Sequence, residues 1–484
     1  MLFGLLGILA GLGLLIWLSY RGWSVLLLAP AAALVAAAAA GEPLLAHWTE
    51  TFMGGAAKFL AQFFPLFLLG ALFGKLMDDS GSVETIARFM TETLGTARAI
   101  LAVALAGAIV TYGGVSLFVA FFVLVPMAQS LFKAADIPRR LVPAAVALGT
   151  MTFTMSALPG TPALQNAIPM PFFGTTPFAA PGLGIIAAAI MLGFGLWWLN
   201  LAEGAARRAG EGYGKHEPVD VAAQEQSARE RATIASEFDP AEVSHGRHAE
   251  GAPSVLVALL PLIVVILVNL ATSLFVLPQI DTSYLAEQRW GGTSLAAVAG
   301  VWSVVVALFA AILTLIALNY RRLPSLRESM DAGANASVLP AFSVASLVGF
   351  GAVIAALPAF TLVRDWVLSI GGGPLVSLAV ATNVLAALTG SASGGLTIAL
   401  DALGETYLRL ASENGIDPAL LHRVAVMSAG TLDSLPHNGA VVTLLAVCGV
   451  THRDSYKDIF VVAIVGALFA LTAVIVLGSI FGTF

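Results

Sequence analysis

Long apolar runs recur along the whole chain and restrict what it can fold into. Each is close to the length of about 17 to 25 residues that a helix needs to cross a bilayer. The runs are Leu2 to Leu18, Val25 to Ala40, Phe59 to Leu76, Leu101 to Leu131, Leu141 to Leu158, Leu183 to Leu201, Val255 to Leu277, Leu295 to Leu318, Val338 to Phe360, Val367 to Leu388, Val424 to Val450 and Ile459 to Phe481. Charged residues make up only 11% of the chain, against about a quarter in soluble domains. The sequence predicts an all-α polytopic membrane protein with roughly ten to twelve spans.

A long hydrophilic segment, residues 202–252, divides the chain into halves of residues 1–201 and 253–484. It offers no long periodic apolar face, so we predict a linker rather than a domain. Arg207 and Arg208 follow one apolar run and Arg321 follows another, which by the positive-inside tendency places the linker in the cytoplasm. We expect a multi-pass protein of the inner, cytoplasmic membrane. The net charge of −6 indicates no basic patch for nucleic acid.

Two kinds of break interrupt the apolar runs at matching positions of the two halves. A break rich in small polar residues lies at Thr111–Ser116 and again at Thr389–Gly395. A Leu-Pro break lies at Ser156–Thr161 and again at Asp433–Asn438. The copies are offset by 281 residues (113 to 394) and 277 residues (158 to 435). This near-constant offset predicts a duplicated unit, and paired interruptions of this kind point to the substrate site of a secondary transporter.

The breaks predict a cavity, because unpaired backbone groups in hydrocarbon survive only where protein, water or a ligand satisfies them. Half-helices that begin there direct N–H groups toward an anion, while freed carbonyls and hydroxyls can hold a cation. We therefore predict a site for a small organic anion. Its predicted ligands are Gly113, Gly114, Ser116, Ser156, Gly160, Thr161, Asn166, Thr389, Ser391, Ser393, Gly394, Ser434, His437 and Asn438. Ordinary helix packing, which small residues also permit, is the competing interpretation.

Asp433 and His437 form the predicted ion-coupling pair. A carboxylate costs about 2.5 to 3.5 kcal/mol at the centre of a lipid-facing helix, so Asp433 needs a partner. An imidazole four residues later can share or relay a proton with it. The alternative interpretation is that Asp433 caps a half-helix that begins near Ser434.

Other charged residues fit structural roles. Lys75, Asp78 and Asp79 follow an apolar run, which is a usual position for interfacial anchors. Lys58 lies where a surface helix would let it snorkel. The one cysteine, Cys448, predicts no intrachain disulfide. The sequence predicts neither a metal site nor another cofactor.

The broken segments resemble the gluconate permease family of proton symporters. The resemblance rests on Ala387–Ser393, on the turn Asp433–Gly439, on Phe121–Pro126 and on Gly70–Ser80. It implies membership of the wider ion transporter superfamily, with two inverted repeats, re-entrant hairpins and broken helices. It also implies a dimerising scaffold, a transport domain that moves as an elevator, and import of a small organic carboxylate in symport with protons.

The chain departs from the gluconate branch in the first half of this pattern. That branch has an acid before its first Pro-ended apolar run and a histidine in its first hairpin. Here Ser116–Pro126 contains no acid, and Ala157–Pro162 contains no histidine. Because a many-hydroxyl acid needs more donors than this first hairpin supplies, the departure favours a smaller carboxylate, such as a short hydroxy acid.

Other functions compete with proton symport. Sodium could replace the proton, held by Ser391, Ser393 and freed carbonyls, and an uncoupled anion facilitator or channel would need the same cavity. An enzyme is not expected. A serine protease built from Ser391 or Ser393 with His437 would leave the repeat unexplained, and the sequence holds no His-Glu-x-x-His helix for zinc proteolysis.

Overall fold

The computed structural model describes residues 1–19, 21, 23–214, 248–249 and 251–484. These residues form helices and turns without β-strands, which confirms the predicted all-α class. Seven described helices are long and apolar enough to cross a membrane, or eight if one bent pair counts as a single span. Shorter apolar helices of 10–17 residues accompany them. Breaks divide several of the apolar runs, so the described full-length helices are fewer than the ten to twelve predicted spans, some of which are expected to be half-helices or re-entrant hairpins.

The first half begins with two apolar helices and ends with a long one. Its helices are α1 (Leu2–Ser19), α2 (Val25–Ala40), α3 (Leu44–Asp79), α4 (Ser82–Leu94), α5 (Thr96–Tyr112), α6 (Leu117–Ala134), α7 (Val142–Thr150) and α8 (Pro181–Arg208). Three very short helices, Phe153–Ser156, Leu164–Ala167 and Pro169–Phe173, lie between α7 and α8. The chain bends by 100° between α4 and α5. The apolar run Leu101 to Leu131 forms two helices, α5 and α6, which are divided at the first predicted break.

The second half contains a similar series of helices. They are α9 (Val255–Gln279), α10 (Leu295–Asn319), α11 (Leu326–Ala336), α12 (Val338–Ala356), α13 (Phe360–Leu368), α14 (Gly373–Thr389), α15 (Ala392–Glu413), α16 (Pro418–Leu432), α17 (Gly439–Cys448) and α18 (His452–Phe481). In both halves a long helix is followed by a short amphipathic one, a broken helix pair, a Leu-Pro turn and a final span. The duplication inferred from sequence offsets is therefore visible in the order of the helices, and the inverted relation of the halves stays a prediction.

Helix α3 of the first half and helix α12 of the second half pack against each other. A Cβ atom added at Gly55 of α3 would lie 2.8 Å from the Ala352 side chain, and one added at Gly349 of α12 would lie 2.7 Å from the Phe52 carbonyl oxygen. The missing side chains let the two backbones approach closely. Helix packing therefore accounts for these two glycines, which lie outside the predicted breaks.

The predicted linker begins inside a helix. α8 runs through Arg208, and the chain that follows folds back on the protein. The Arg140 Nε atom lies 2.8 Å from Glu211 Oε1, and the Tyr213 backbone N–H donates to Asp136 Oδ1 at 2.9 Å. Residues 215–247 and 250 of the linker lie outside the described residues.

Candidate substrate-binding site

The breaks of the two halves meet at one cavity of about 220 Å³. Its polar wall combines side chains from both broken helices and from both Leu-Pro regions. These residues are Thr111, Ser116, Gln165, Ser337, Ser393, Asp433 and Asn438. The apolar part of the wall includes Leu66, Phe67, Leu117, Phe118, Met151, Met155, Leu164 and Val344. Both halves of the chain thus contribute to a single pocket.

The first break separates α5 from α6 by a short irregular segment. Gly114 has φ of +102°, a left-handed conformation that glycine adopts without strain. A Cβ atom added there would also lie 2.8 Å from Pro162, beside the first Leu-Pro turn. The Ser116 hydroxyl then caps α6 by accepting a hydrogen bond from the Phe118 N–H at 3.3 Å. The local sequence therefore both stops one helix and starts the next at the cavity wall.

The second break repeats this construction between α14 and α15. Gly390 ends α14 with φ of +64°, and the hydroxyl of Ser391 accepts from the Gly394 N–H at 3.2 Å to cap α15. The residues that reach the cavity are the first two of α15, Ala392 and Ser393. Ser391 is therefore a helix cap, and its neighbour Ser393 is the lining side chain.

The second Leu-Pro turn places a carboxylate and an amide at the cavity. α16 ends at Leu432 and Asp433 follows as its C-terminal cap residue. The prediction that Asp433 caps the next half-helix is wrong, because that role belongs to Asn438. The Asn438 Oδ1 atom accepts a hydrogen bond from the Val441 N–H at 3.1 Å, and the Asn438 Nδ2 group donates one to the Gly390 carbonyl at 2.8 Å.

In each half the Leu-Pro turn is hydrogen-bonded to the end of the broken helix. In the first half the Tyr112 hydroxyl donates to the Pro159 carbonyl oxygen at 2.6 Å. In the second half Nε2 of His437 lies 3.0 Å from the Ala387 carbonyl oxygen, beside the Asn438 contact described above. Turn and break therefore form one unit in each half, and His437 faces a backbone carbonyl of α14.

Three of the described helices begin at the cavity, where their N-termini contribute positive potential. The first residues of α6 and α15 belong to the lining, and α17 contributes its cap residue Asn438 and its second residue Ala440. The N-terminus of a helix carries about half a unit of positive charge together with N–H groups that lack an intrahelical partner. Among the described residues that line the cavity, Asp433 is the one ionisable side chain. The pocket thus offers dispersed positive potential and a single carboxylate.

Four of the fourteen predicted ligands line the cavity, namely Gly114, Ser116, Ser393 and Asn438, and so does Asp433 of the predicted ion-coupling pair. The others lie beside it and shape the breaks or support the turns. They are Gly113, Ser156, Gly160, Thr161, Asn166, Thr389, Ser391, Gly394, Ser434 and His437. Gly113, for example, packs against the Leu262 side chain.

Sequence reasoning missed two buried residues of α16, His422 and Arg423, that hold the first Leu-Pro turn. Nε2 of His422 lies 3.1 Å from Asn166 Oδ1. The Arg423 guanidinium donates to the Ala179 carbonyl at 2.6 Å and to the Ser156 carbonyl at 3.3 Å. The sequence signal is a His-Arg pair that directly precedes the apolar run Val424 to Val450. These contacts join the first turn to the helix that leads to Asp433.

Lys75, Asp78 and Asp79 are not the interfacial anchors that the sequence predicts. Lys75 and Asp79 are fully buried, and their charged atoms lie 2.9 Å apart. The Ser329 hydroxyl of α11 donates to the other oxygen of Asp79 at 2.6 Å. Their position follows from packing of α11 on α3, where Gly333 lies against the Lys75 side chain. Hydropathy cannot reveal a helix-to-helix contact of this kind.

The fold and the cavity define the class of protein. An all-α chain with seven or eight candidate spans, whose broken helices from both halves line one pocket, has the construction of a membrane transporter. Comparison with known sequences gives the family. Residues 3–176 match the GntP family of permeases. The chain is also 41% identical over 476 residues to the uncharacterized transporter YxjC of Bacillus subtilis, covering 96% of this chain and 98% of that one. The chain belongs to the GntP permease family, and it is a membrane transporter.

Two solved structures share the fold at low sequence identity. One is MtrF of Neisseria gonorrhoeae, described as illuminating a class of antimetabolite efflux pumps, with a TM-score of 0.53, 16% identity and coverage of 91% of this chain and 85% of that one. The other is the YdaH transporter of Alcanivorax borkumensis, described as having an unusual topology, with a TM-score of 0.52, 16% identity and coverage of 90% and 88%. At this identity the likeness shows the fold alone.

Proposed function

We propose that this transporter imports a small organic carboxylate in symport with protons across the inner membrane. The observation that carries the proposal is the meeting of three helix N-termini, those of α6, α15 and α17, at one cavity. Helix N-termini are sites at which carboxylates and phosphates bind. The substrate's carboxylate would accept hydrogen bonds from the N–H groups of these first turns.

The size of the electrostatic effect supports an anion. A unit charge pair at about 4 Å is worth about 4 kcal/mol at an effective dielectric constant of about 20. Half a charge per helix end then gives about 2 kcal/mol for each N-terminus at that distance. With Asp433 protonated, two such contacts are enough to favour an anion over a neutral analogue by more than about a hundredfold.

The rest of the lining favours a small hydroxy acid over a sugar acid. Most of the wall is apolar, so each extra hydroxyl of a larger acid would lose its hydrogen bonds to water without replacement. The side chain of Gln165 is suited to bind a single hydroxyl group of the substrate. The buried Oε1 atom of Gln165 has no hydrogen-bond partner within the described part of the chain, and Gln165 lines the cavity.

Asp433 is the proposed proton carrier. Its carboxylate lines the same cavity as the helix N-termini, and the Ser434 hydroxyl donates to its Oδ1 atom at 3.1 Å. A protonated Asp433 would lower the negative charge that a bound carboxylate meets, so binding of the proton and of the substrate would favour each other. His437, predicted as its partner, supports the wall through its contact with Ala387.

The proposal includes the elevator mechanism and the homodimeric scaffold that the family resemblance implies. The hydrogen bonds from Tyr112 and Asn438 tie each turn to its broken helix, and Arg423 ties the first turn to α16. These contacts support movement of the breaks and turns as one body. α1 and α2 form a separate apolar cluster with α12, which suits a stationary scaffold.

Uptake by purified protein in sealed vesicles tests the coupling. We expect labelled 3-hydroxybutyrate to accumulate when the vesicle interior is more alkaline than the medium, and a protonophore to abolish the accumulation. Asp433→Asn should remove accumulation driven by the pH gradient while leaving exchange of internal for external substrate. Asp281→Asn, which changes an exposed loop carboxylate, should behave like the unaltered protein.

The same assay separates the competing functions. Accumulation that follows a sodium gradient and ignores the pH gradient would replace protons with sodium. Equilibration without accumulation in any gradient would indicate a facilitator. Unchanged pH-driven accumulation by Asp433→Asn would place the coupling proton on another group and contradict the assignment of Asp433.

A further inference from the structure

A second polar cluster lies at the C-terminal end of α3, beyond the residues of this helix that line the substrate cavity. The last of those lining residues is Ala71, and the cluster begins one helical turn later at Lys75. It contains Lys75, Asp78 and Asp79, with His248 from the end of the linker. None of these side chains lines the cavity within the described residues, so the cluster is separate from the proposed transport site.

The carboxylate of Asp78 is the unusual member of this cluster. Only 8% of the residue is exposed, and among the described residues no hydrogen bond or ion pair engages its side chain. Asp79, in contrast, is bonded by Lys75 and Ser329. A buried carboxylate without a partner costs several kcal/mol unless a cation neutralises it. Because Lys75 is paired with Asp79, a cation bound between Asp78 and His248 would stabilise the buried Asp78 carboxylate.

Three potential ligand atoms converge beside Asp78. One oxygen of Asp78, one oxygen of Asp79 and one ring nitrogen of His248 all lie within 4.8 Å of one another. The distance from Asp79 Oδ1 to His248 Nδ1 is 3.6 Å. In a tetrahedral zinc site with bonds of about 2.1 Å, neighbouring ligand atoms lie roughly 3.4 Å apart. The Asp79 to His248 distance is therefore close to the spacing that one shared ion requires, and the Asp78 oxygen lies within 4.8 Å of both atoms.

The backbone fixes His248 in this position. The Ala249 N–H donates to the Asp79 carbonyl at 2.8 Å, and the Thr85 hydroxyl donates to the Pro253 carbonyl at 3.4 Å. Gly81, with φ of +72°, turns the chain between α3 and α4 beneath this segment. The His248 side chain is 62% exposed, so an ion could enter from solvent while the two carboxylates stay buried.

The charges of the cluster also favour a divalent cation. Lys75 offsets one of the two carboxylates, which leaves a net charge of about −1 when His248 is neutral. Imidazole together with carboxylate oxygens is a ligand set that suits zinc, manganese, iron and nickel ions. Calcium and magnesium prefer oxygen ligands alone, so the histidine favours a transition metal.

We propose that Asp78, Asp79 and His248 bind one divalent transition-metal ion outside the substrate cavity. The ion fastens the start of the second half to the end of α3. Because the same helix lines the cavity at Gly70 and Ala71, occupancy of this site is linked to the position of one cavity wall. The proposal does not depend on the identity of the transported substrate.

Calorimetric titration of chelator-treated full-length protein with zinc chloride tests the site. We expect one ion per chain with a micromolar or lower dissociation constant, and a thermal unfolding midpoint that rises with zinc concentration because the ion binds only the folded form. Asp78→Asn and His248→Ala should each weaken zinc binding at least tenfold. Without zinc, Asp78→Asn should keep or raise the unfolding midpoint, because it removes a buried unpaired charge.

Two matched variants act as controls. Glu84→Gln removes an exposed carboxylate near the cluster, and His47→Ala removes the histidine at the opposite end of α3, whose Nε2 lies 3.8 Å from Glu42 Oε2. Both should bind zinc as tightly as the unaltered protein. Failure of the unaltered protein to bind zinc would overturn the proposal. So would equal binding by Asp78→Asn, or equal losses in the test and control variants.

Discussion

Replacement of Asn438 by aspartate would place a second carboxylate in the cavity with little change in shape. Asn438 is 3% exposed and lines the pocket, and its Oδ1 atom caps α17 through the Val441 N–H. Aspartate caps helices about as well as asparagine, so this contact should survive. The donor to the Gly390 carbonyl is lost, and a negative charge appears beside the proposed anion site.

The expected magnitude follows from the cavity's dimensions. In a pocket of about 220 Å³ the new carboxylate and a bound anion would be roughly 4 to 8 Å apart, which at an effective dielectric constant of about 20 gives about 2 to 4 kcal/mol of repulsion. That repulsion weakens binding of the anion by roughly 30-fold to 1000-fold. The loss should grow as the pH rises, because only the ionised carboxylate repels the substrate.

Asn438→Ser is the matched control. Serine also caps helices well, and it also lacks the amide group that reaches the Gly390 carbonyl. The two variants therefore share the structural loss and differ in charge. Competition against labelled 3-hydroxybutyrate, measured from pH 5 to pH 8, gives the affinity of each. If Asn438→Asp and Asn438→Ser bind the acid equally at every pH, the cavity does not hold an anion near α17.

Two further substitutions test contacts made by residues of the first half. Gln165→Leu should lower affinity for 3-hydroxybutyrate about tenfold while leaving butyrate almost unchanged, because it removes the proposed partner of the hydroxyl; an equal loss for both acids would contradict that contact. Arg423→Met should lower stability by about 2 to 5 kcal/mol, because the Ser156 and Ala179 carbonyls lose their charged donor inside the protein. Thermal unfolding in detergent measures this effect, and an unchanged midpoint would show that other donors satisfy both carbonyls.

The positions of the breaks could be predicted from sequence because their causes are local. Glycine supplies the left-handed conformation at Gly114 and Gly390, serine caps the next helix, and proline prevents the turn from continuing as helix. Repetition of this chemistry at one offset then predicts that both copies serve one site. The convergence on one cavity follows from the same duplication.

The side chains that face the cavity could not be predicted in the same way. Ser391 and Ser393 are two residues apart in one break, yet the first caps α15 and the second lines the pocket. The choice depends on how α15 is rotated against its neighbours, which is a tertiary property. Burial of Lys75 and Arg423 was missed for a similar reason, since each occupies the end of an apolar run where hydropathy predicts solvent or headgroups.

The two copies of the unit share a scaffold but differ in chemistry, and the difference suggests how a substrate lies. In the first half the donor is on the helix end, where Tyr112 reaches the turn; in the second half the donor is on the turn, where Asn438 reaches the helix end. Both halves bring polar groups to the cavity, but the carboxylate of Asp433 comes from the second half, whereas Met151 and Met155 come from the first. We infer that the carboxylate of the substrate lies toward the second half, with its apolar portion against the methionines. Proton and substrate charge would then meet within one copy of the repeat, so that copy would perform the coupling and the other would contact the substrate's apolar portion.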